Sequence, residues 1–169
     1  MENDFERTNA TRPYIPGYGV PGTQEGMLPW SYVEERMQKA INFWISTSNA
    51  KGQPHATPVW GVWLDHVLYF DGSPKVRRSR DIAANPQISV NLEDGSQVVI
   101  LEGKAQELKQ SPLELRQKLA AVYSSKYGDR GYSPDPNTWE NGGLYAFRPS
   151  LVFAWTQFPQ DTTRWQFED

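Results

Sequence analysis

From residue 42 onward the chain alternates apolar and polar positions with a period of two, over one short run after another, and glycine, proline, asparagine or aspartate closes each run. That is the pattern of strands joined by turns. NFWISTS at 42–48 predicts a strand, Asn49-Ala50-Lys51-Gly52 its turn, and PHATPVWGVWLD at 54–65 a long second strand. One face of the second strand carries His55, Thr57, Val59, Gly61 and Trp63, and the other carries Ala56, Pro58, Trp60, Val62 and Leu64. Pro58 has no N–H to give a ladder, so a bulge or a sheet edge is expected near it. Asp65-His66 makes a tight connection into VLYFDG at 67–72. QISVNLE at 87–93 and SQVVILEGKAQEL at 96–108 flank Asp94-Gly95, a dipeptide that favours a two-residue hairpin turn. GLYAFRPS, LVFAWT and TRWQFE supply the closing strands.

Three segments switch to helical signals. Ser31 followed by Glu34 fits a capping box that opens a short helix at 32–40. Ser73 as cap with Pro74 at the first helical position opens a second helix, ended by Asn85-Pro86. Ser111 as cap, Pro112 and Glu114 open a third, with Leu115, Leu119 and Val122 as its packing stripe and Gly128 as its stop. Residues 128–142 are loop-like. Residues 1–30 form an extended arm, too rich in Pro and Gly for regular structure. Its Tyr14, Ile15, Tyr18, Met27 and Leu28 predict that it lies across the domain or a partner, against the alternative of a disordered leader. The fold predicted for residues 31–169 is therefore mainly β, a barrel with peripheral helices.

Composition narrows the chemistry. The 169 residues carry 17 basic and 20 acidic side chains for a net charge of −3, with two histidines and no cysteine. Disulfides, thiol catalysis and cysteine-ligated metal centres are excluded. No basic start followed by an apolar run opens the chain, and no stretch approaches the roughly 20 apolar residues of a membrane helix, so a soluble cytoplasmic protein without a membrane partner is expected. Aromatic residues make up 13% of the chain, which suits a stacking site or an oligomer interface.

The sharpest local feature is Lys75, Arg77, Arg78 and Arg80, four cations within six positions of a nearly neutral chain. Beside Ser73 and a helix start they make a candidate anion site, against the alternative of a solvated basic helix face. One cluster on an acidic chain offers little to a nucleic acid. His66 reads as a turn residue, and His55 as a strand residue able to line a pocket. No dinucleotide fingerprint, phosphate loop or GxSxG elbow is present, and no metal-ligand spacing appears.

From about residue 32 to 168 the chain resembles the pyridoxamine 5'-phosphate oxidase-related family of split β-barrel proteins. The run FWISTSNAKGQPHATPVWGVWLDHVLYFDGSPKVRRSRDIAANPQISVNLEDG, followed by VVILEGKAQEL, carries the likeness. The resemblance implies an FMN-binding split barrel that works as a homodimer with a site at each side of the subunit boundary. It places Ser73 and Lys75 on the cofactor phosphate, with Arg77 or Arg78 assisting, and Thr57, Pro58, Val59 and Trp60 against the isoalloxazine edge. Trp155, Arg164 and Trp165 fall in the C-terminal region where relatives complete the pocket. The implied activity is that of a flavin-dependent oxidoreductase exchanging hydride with NAD(P)H or a reduced organic substrate, with no dedicated side-chain acid or base. A deazaflavin-dependent reductase and a non-enzymatic flavin- or haem-binding protein are the alternatives.

Overall fold

A computed structural model describes residues 9–167. The arm enters as β1 (Ala10–Thr11), which pairs antiparallel with the last strand of the chain, β9 (Thr163–Gln166). Arg12 secures it: the guanidinium donates to the carbonyls of Thr23, Glu25, Gln160 and Thr162. The arm is thus stitched to the C-terminal edge of the sheet, although Tyr14 is 88% exposed.

Helix α1 (Trp30–Lys39) begins two residues earlier than its sequence predicts. Pro29 occupies the cap position without a side-chain bond, and the expected Ser31–Glu34 box does not form. Glu34 turns inward instead. Its carboxylate accepts from the indole N–H groups of Trp30 and Trp63, each at 3.0 Å, and lies 2.7 Å from His66 Nδ1. Two buried indole donors need an acceptor, and that demand outweighs a cap.

The strands that follow are β2 (Phe43–Ser48), β3 (Pro54–Val59), β4 (Gly61–Leu64) and β5 (Val67–Asp71). Asn49 shapes the first turn by accepting the amides of Lys51 and Gln53 on its side-chain oxygen. The predicted long strand at 54–65 is split at Trp60, just after Pro58. Asp65 and His66 both have positive φ, 51° and 61°, as a two-residue type I′ hairpin requires. After helix α2 (Arg77–Ala84) come β6 (Gln87–Asn91) and β7 (Val98–Glu107). Their connection is a six-residue loop rather than the two-residue turn expected at Asp94-Gly95. The Asp94 carboxylate takes the amides of Ser96 and Gln97, closing a local side-chain turn that displaces the hairpin.

Helix α3 (Leu113–Tyr127) starts after Pro112, so Ser111 does not cap it. Gly128 stays right-handed and leads into a 3₁₀ turn, and the left-handed stop falls at Gly131 with φ 83°. Its buried stripe is Leu119, Tyr123 and Tyr127, while Val122 is 37% exposed. The first two of the three predicted closing strands fuse into one, β8 (Leu144–Trp155). Pro149 is tolerated because the ladder to β7 slips there, with Gly103 opposite Pro149 and Glu102 opposite Leu151. Gly103 is obligatory at this slip, since a Cβ would lie 2.1 Å from the Arg148 carbonyl oxygen.

The sheet runs β1-β9-β8-β7-β6-β2-β3, and β5 pairs with both β4 and the first third of β8. Edge strand β3 and strand β4 adjoin only through the Trp60 break, so the barrel is split along that seam. The interior is packed by Phe43, Ile45, Leu68, Phe70, Val90, Leu101 and Phe147 among others. A second apolar cluster, centred on Tyr123, Tyr127 and Trp139, fastens α3 to the outside of β4 and β5. Among the described residues, no helix is long and apolar enough to cross a membrane.

Candidate functional site

The seam and the β5–α2 loop lie side by side. Leaving β5, the chain passes Gly72 into an exposed turn at 73–76, where Ser73 O accepts the Val76 amide and Ser73 Oγ accepts the Lys75 amide at 3.2 Å. Helix α2 opens only at Arg77, with Val76 in the cap position. Ser73 therefore does not cap the helix as its sequence predicts. A hydroxyl that bonds two residues onward makes a turn of its own, and here it holds Ser73 and Lys75 on a solvent-facing bend ahead of the helix.

The arginines behind this bend differ. Arg77 bridges back to the seam, donating to the Pro54 carbonyl of β3 at 3.1 Å while its Nε sits 3.7 Å from Asp81. Asp81 is buried and accepts from Thr47 on β2, and Asn85 donates to Ser48, so α2 is hooked to β2 at two points. Arg78 folds inward under Gly72, donates to the Asp71 carbonyl and lies over the Phe70 ring. Burial works against its charge, partly offset by Tyr145, Asp71 and Tyr123. Its Nε–H is buried without a partner, an unmet charged donor. Arg80 is exposed.

Along the seam, Thr57 is half-buried, Pro58 is exposed and Val59 faces the core opposite Phe43. Trp60 at the break stacks on Tyr127, with ring centroids 4.9 Å apart and planes 12° apart. The break is held from outside. Gly61 N–H donates to the Tyr127 hydroxyl, and Gly61 O accepts from Lys126 Nζ at 3.1 Å. Burial pushes the Lys126 amine down to about 8 and the Tyr127 hydroxyl up to about 12.

The 128–142 segment completes this side of the site, a role its sequence did not reveal. Tyr132 donates its hydroxyl to the Asp71 carboxylate, and the Trp139 indole donates to the same carboxylate at 3.2 Å. Desolvation, then the bond to Asp71, drives the Tyr132 pKa far up. Between this segment and the 73–74 turn lies a cavity of about 380 Å³ whose walls include Asp71, Ser73, Glu107, Thr138 and Asn141. The only advance signal was the spacing of Tyr123, Tyr127, Tyr132 and Trp139, which resembles ordinary packing.

The C-terminal candidates are not brought to this place. Trp155 and Arg164 lie on the outer face of β8 and β9, with the strands β7, β6 and β2 between them and the β3 seam. Trp155 meets Phe158, and Arg164 donates to Thr11. Trp165 is 1% exposed and packs edge-on against Trp30, so its indole belongs to the core and not to a pocket wall.

The described strands thus form a split antiparallel barrel with a basic bend beside its seam. Residues 32–156 match the family model for pyridoxamine 5'-phosphate oxidase, and the chain belongs to that family of split barrels. None of the curated proteins matches it in sequence. Its fold is similar to that of the heme storage protein HutZ from Vibrio cholerae, at 18% identity and TM-score 0.58, over 73% of this chain and 92% of that one. It is similar to a FAD-binding protein from Mesorhizobium loti at 20% identity and TM-score 0.59, over 83% and 96% of the two chains. An F420 reductase shares the fold at 18% identity and TM-score 0.54, over 73% and 96%.

Proposed function

We propose that this chain is an FMN-dependent oxidoreductase whose cofactor phosphate is held by Ser73 and Lys75, with Arg77 and Arg78 behind them. The observation that carries the proposal is the exposed bend at 73–76, which presents the Ser73 hydroxyl and the Lys75 ammonium to solvent at the start of a helix carrying Arg77 and Arg78. An anionic oxygen at the bend would meet a hydroxyl and an ammonium donor together, and charge-assisted hydrogen bonds of this kind are the strong ones. Bound FMN supplies hydride exchange at its N5. The protein orients: Thr57, Pro58 and Val59 offer the edge of β3, and Trp60 is fixed by Tyr127. Lys126 and Tyr127 hold the Gly61 backbone, so the break keeps its shape without an acid or base of its own.

The outer sheet face supports a homodimer. One cross-strand row joins Trp44, Asn91, Ile100, Phe153 and Arg164, and Trp44 is 36% exposed. No described helix covers this row, and a second copy packed on it would cover Trp44 and Arg164. Identification of the ligand released from protein purified from its own host tests the cofactor, and reduction of that ligand by NADH or NADPH tests turnover. A released deazaflavin or haem, or a bound flavin inert to every donor, would favour the deazaflavin reductase or the non-enzymatic carrier respectively. Sedimentation as a monomer at micromolar concentration overturns the dimer.

A further inference from the structure

A second cavity, of about 530 Å³, opens between helix α1 and the loop that joins β6 to β7, and it shares no residue with the 73–76 bend or the Trp60 seam. We propose that this cavity binds a free α-amino acid with an apolar side chain, its carboxylate on Arg36 and its ammonium on Asp94. The proposal is independent of the cofactor reading.

The inner wall is apolar, since Tyr32, Ala40 and Leu92 are half-buried and pack against the barrel core. The rim carries charges of both signs, and most of them have partners. Lys39 pairs with Glu35 at 3.5 Å, and the Glu93 carboxylate accepts from the Asn42 amide at 3.3 Å. Arg36 and Asp94 differ. Among the described residues the Arg36 guanidinium has no acceptor, yet it is held in place over the Tyr32 ring, 5.3 Å from the centroid. Asp94 Oδ1 takes the amides of Ser96 and Gln97 at 2.7 and 3.1 Å, which fixes the carboxylate and leaves Oδ2 without a partner. Those two amides, and then the charge of Arg36, keep the Asp94 carboxyl below the usual carboxylate range. Among the described residues Arg36 and Asp94 nevertheless form no ion pair, so both charges line the cavity without neutralising each other.

Two immobilised charges of opposite sign select for a ligand that carries both. The guanidinium fork matches a carboxylate, and a fixed carboxylate oxygen accepts from an ammonium. A simple anion would gain Arg36 but face Asp94 and Glu93, and a simple cation would gain the acids but face Arg36 and Lys39. A zwitterion meets each charge with its opposite. The apolar wall then takes an aliphatic or aromatic side chain, and the volume is that of an ordinary small-molecule site.

Chemical-shift titration of the nitrogen-15-labelled full chain tests this with L-leucine, L-methionine and L-phenylalanine. Each is compared with its decarboxylated amine and its des-amino acid, which keep the side chain with one charge apiece. At least one amino acid should bind with Kd at or below about 1 mM, shifting amides of α1 and residues 92–97, and both of its analogues should bind at least about tenfold more weakly. Asp94→Asn keeps an oxygen for the Ser96 and Gln97 amides, and Arg36→Gln keeps a good helix former. With melting curves to establish folding, each variant should weaken the amino acid by about tenfold. Arg36→Gln should leave the decarboxylated amine no weaker, and Asp94→Asn the des-amino acid no weaker. No binding of the three amino acids up to about 10 mM, shifts confined to other segments, or analogues within about twofold of the parent overturns the proposal. So does a folded variant that binds the amino acid as wild type does; where a variant fails to fold, the analogue comparison on the wild type decides.

Discussion

Tyr127→Phe removes one oxygen from the point where α3 meets the split in the barrel. Tyr127 is fully buried, and its hydroxyl lies 3.0 Å from Gly61 N and 2.9 Å from both Ile41 O and Gly61 O. A hydroxyl has one proton, and Gly61 O already accepts from Lys126, so the proton goes to Ile41 O and the oxygen accepts from Gly61 N–H. The substitution therefore orphans one buried N–H and one carbonyl. At about 1–3 kcal/mol for a stranded buried group, with the carbonyl at the low end, the loss is about 2–4 kcal/mol. The ring stack on Trp60 survives, so little of that loss is apolar. For a domain of this size the melting temperature should fall by roughly 5–15 °C. Urea unfolding measures the free energy directly, with an unchanged denaturant slope to show that the same surface is exposed. A change below about 0.5 kcal/mol would refute the view that this hydroxyl pins the seam.

Lys126 gives a pH test. Between about 8 and 10.5 the folded chain holds the neutral Lys126 amine while the unfolded chain remains protonated, so the contribution of Lys126 to stability rises with pH across that window. Lys126→Met should abolish this rise in denaturation curves taken from pH 7.5 to 10. Glu34→Ala strands the Trp30 and Trp63 indoles and should cost about 2 kcal/mol in urea unfolding followed by tryptophan fluorescence, with Glu34→Gln intermediate. Arg12→Ala removes four carbonyl contacts and should expose residues 13–28 to limited proteolysis with the barrel intact, as mass spectrometry of the fragments would show.

Strand existence and order were legible because apolar alternation reports burial directly, and barrel interior residues such as Ile45, Val90 and Leu101 follow it. Helix starts were less legible. At Ser31, Ser73 and Ser111 the sequence shows a cap that does not form, and among the described residues the Ser111 hydroxyl has no hydrogen-bond partner. Glu34 answers the Trp30 indole of its own helix and the Trp63 indole from across the fold, and Ser73 answers the Lys75 amide two residues on. The Asp94-Gly95 hairpin yields to a local side-chain turn, in which Asp94 takes the amides two and three residues on. The basic bend was visible as a run of charge, yet the division of labour between Arg77, tied to β3, and Arg78, turned under Gly72, depends on tertiary placement. The contribution of Asp71, Tyr132 and Glu107 was hidden altogether, since their meeting joins β5, β7 and a loop more than 30 residues from either neighbour in places.

The central claim is that the bend at 73–76 holds a flavin phosphate. Lys75 is exposed, and among the described residues its hydrogen bond runs from its backbone amide to Ser73 Oγ, so Lys75→Ala leaves the fold undisturbed and isolates the charge. Titration of FMN into wild type and Lys75→Ala, alongside the Arg77→Ala, Arg78→Ala double variant, should raise Kd by at least about tenfold in each case, about 1.4 kcal/mol. Superimposable titration curves for the three proteins would contradict it.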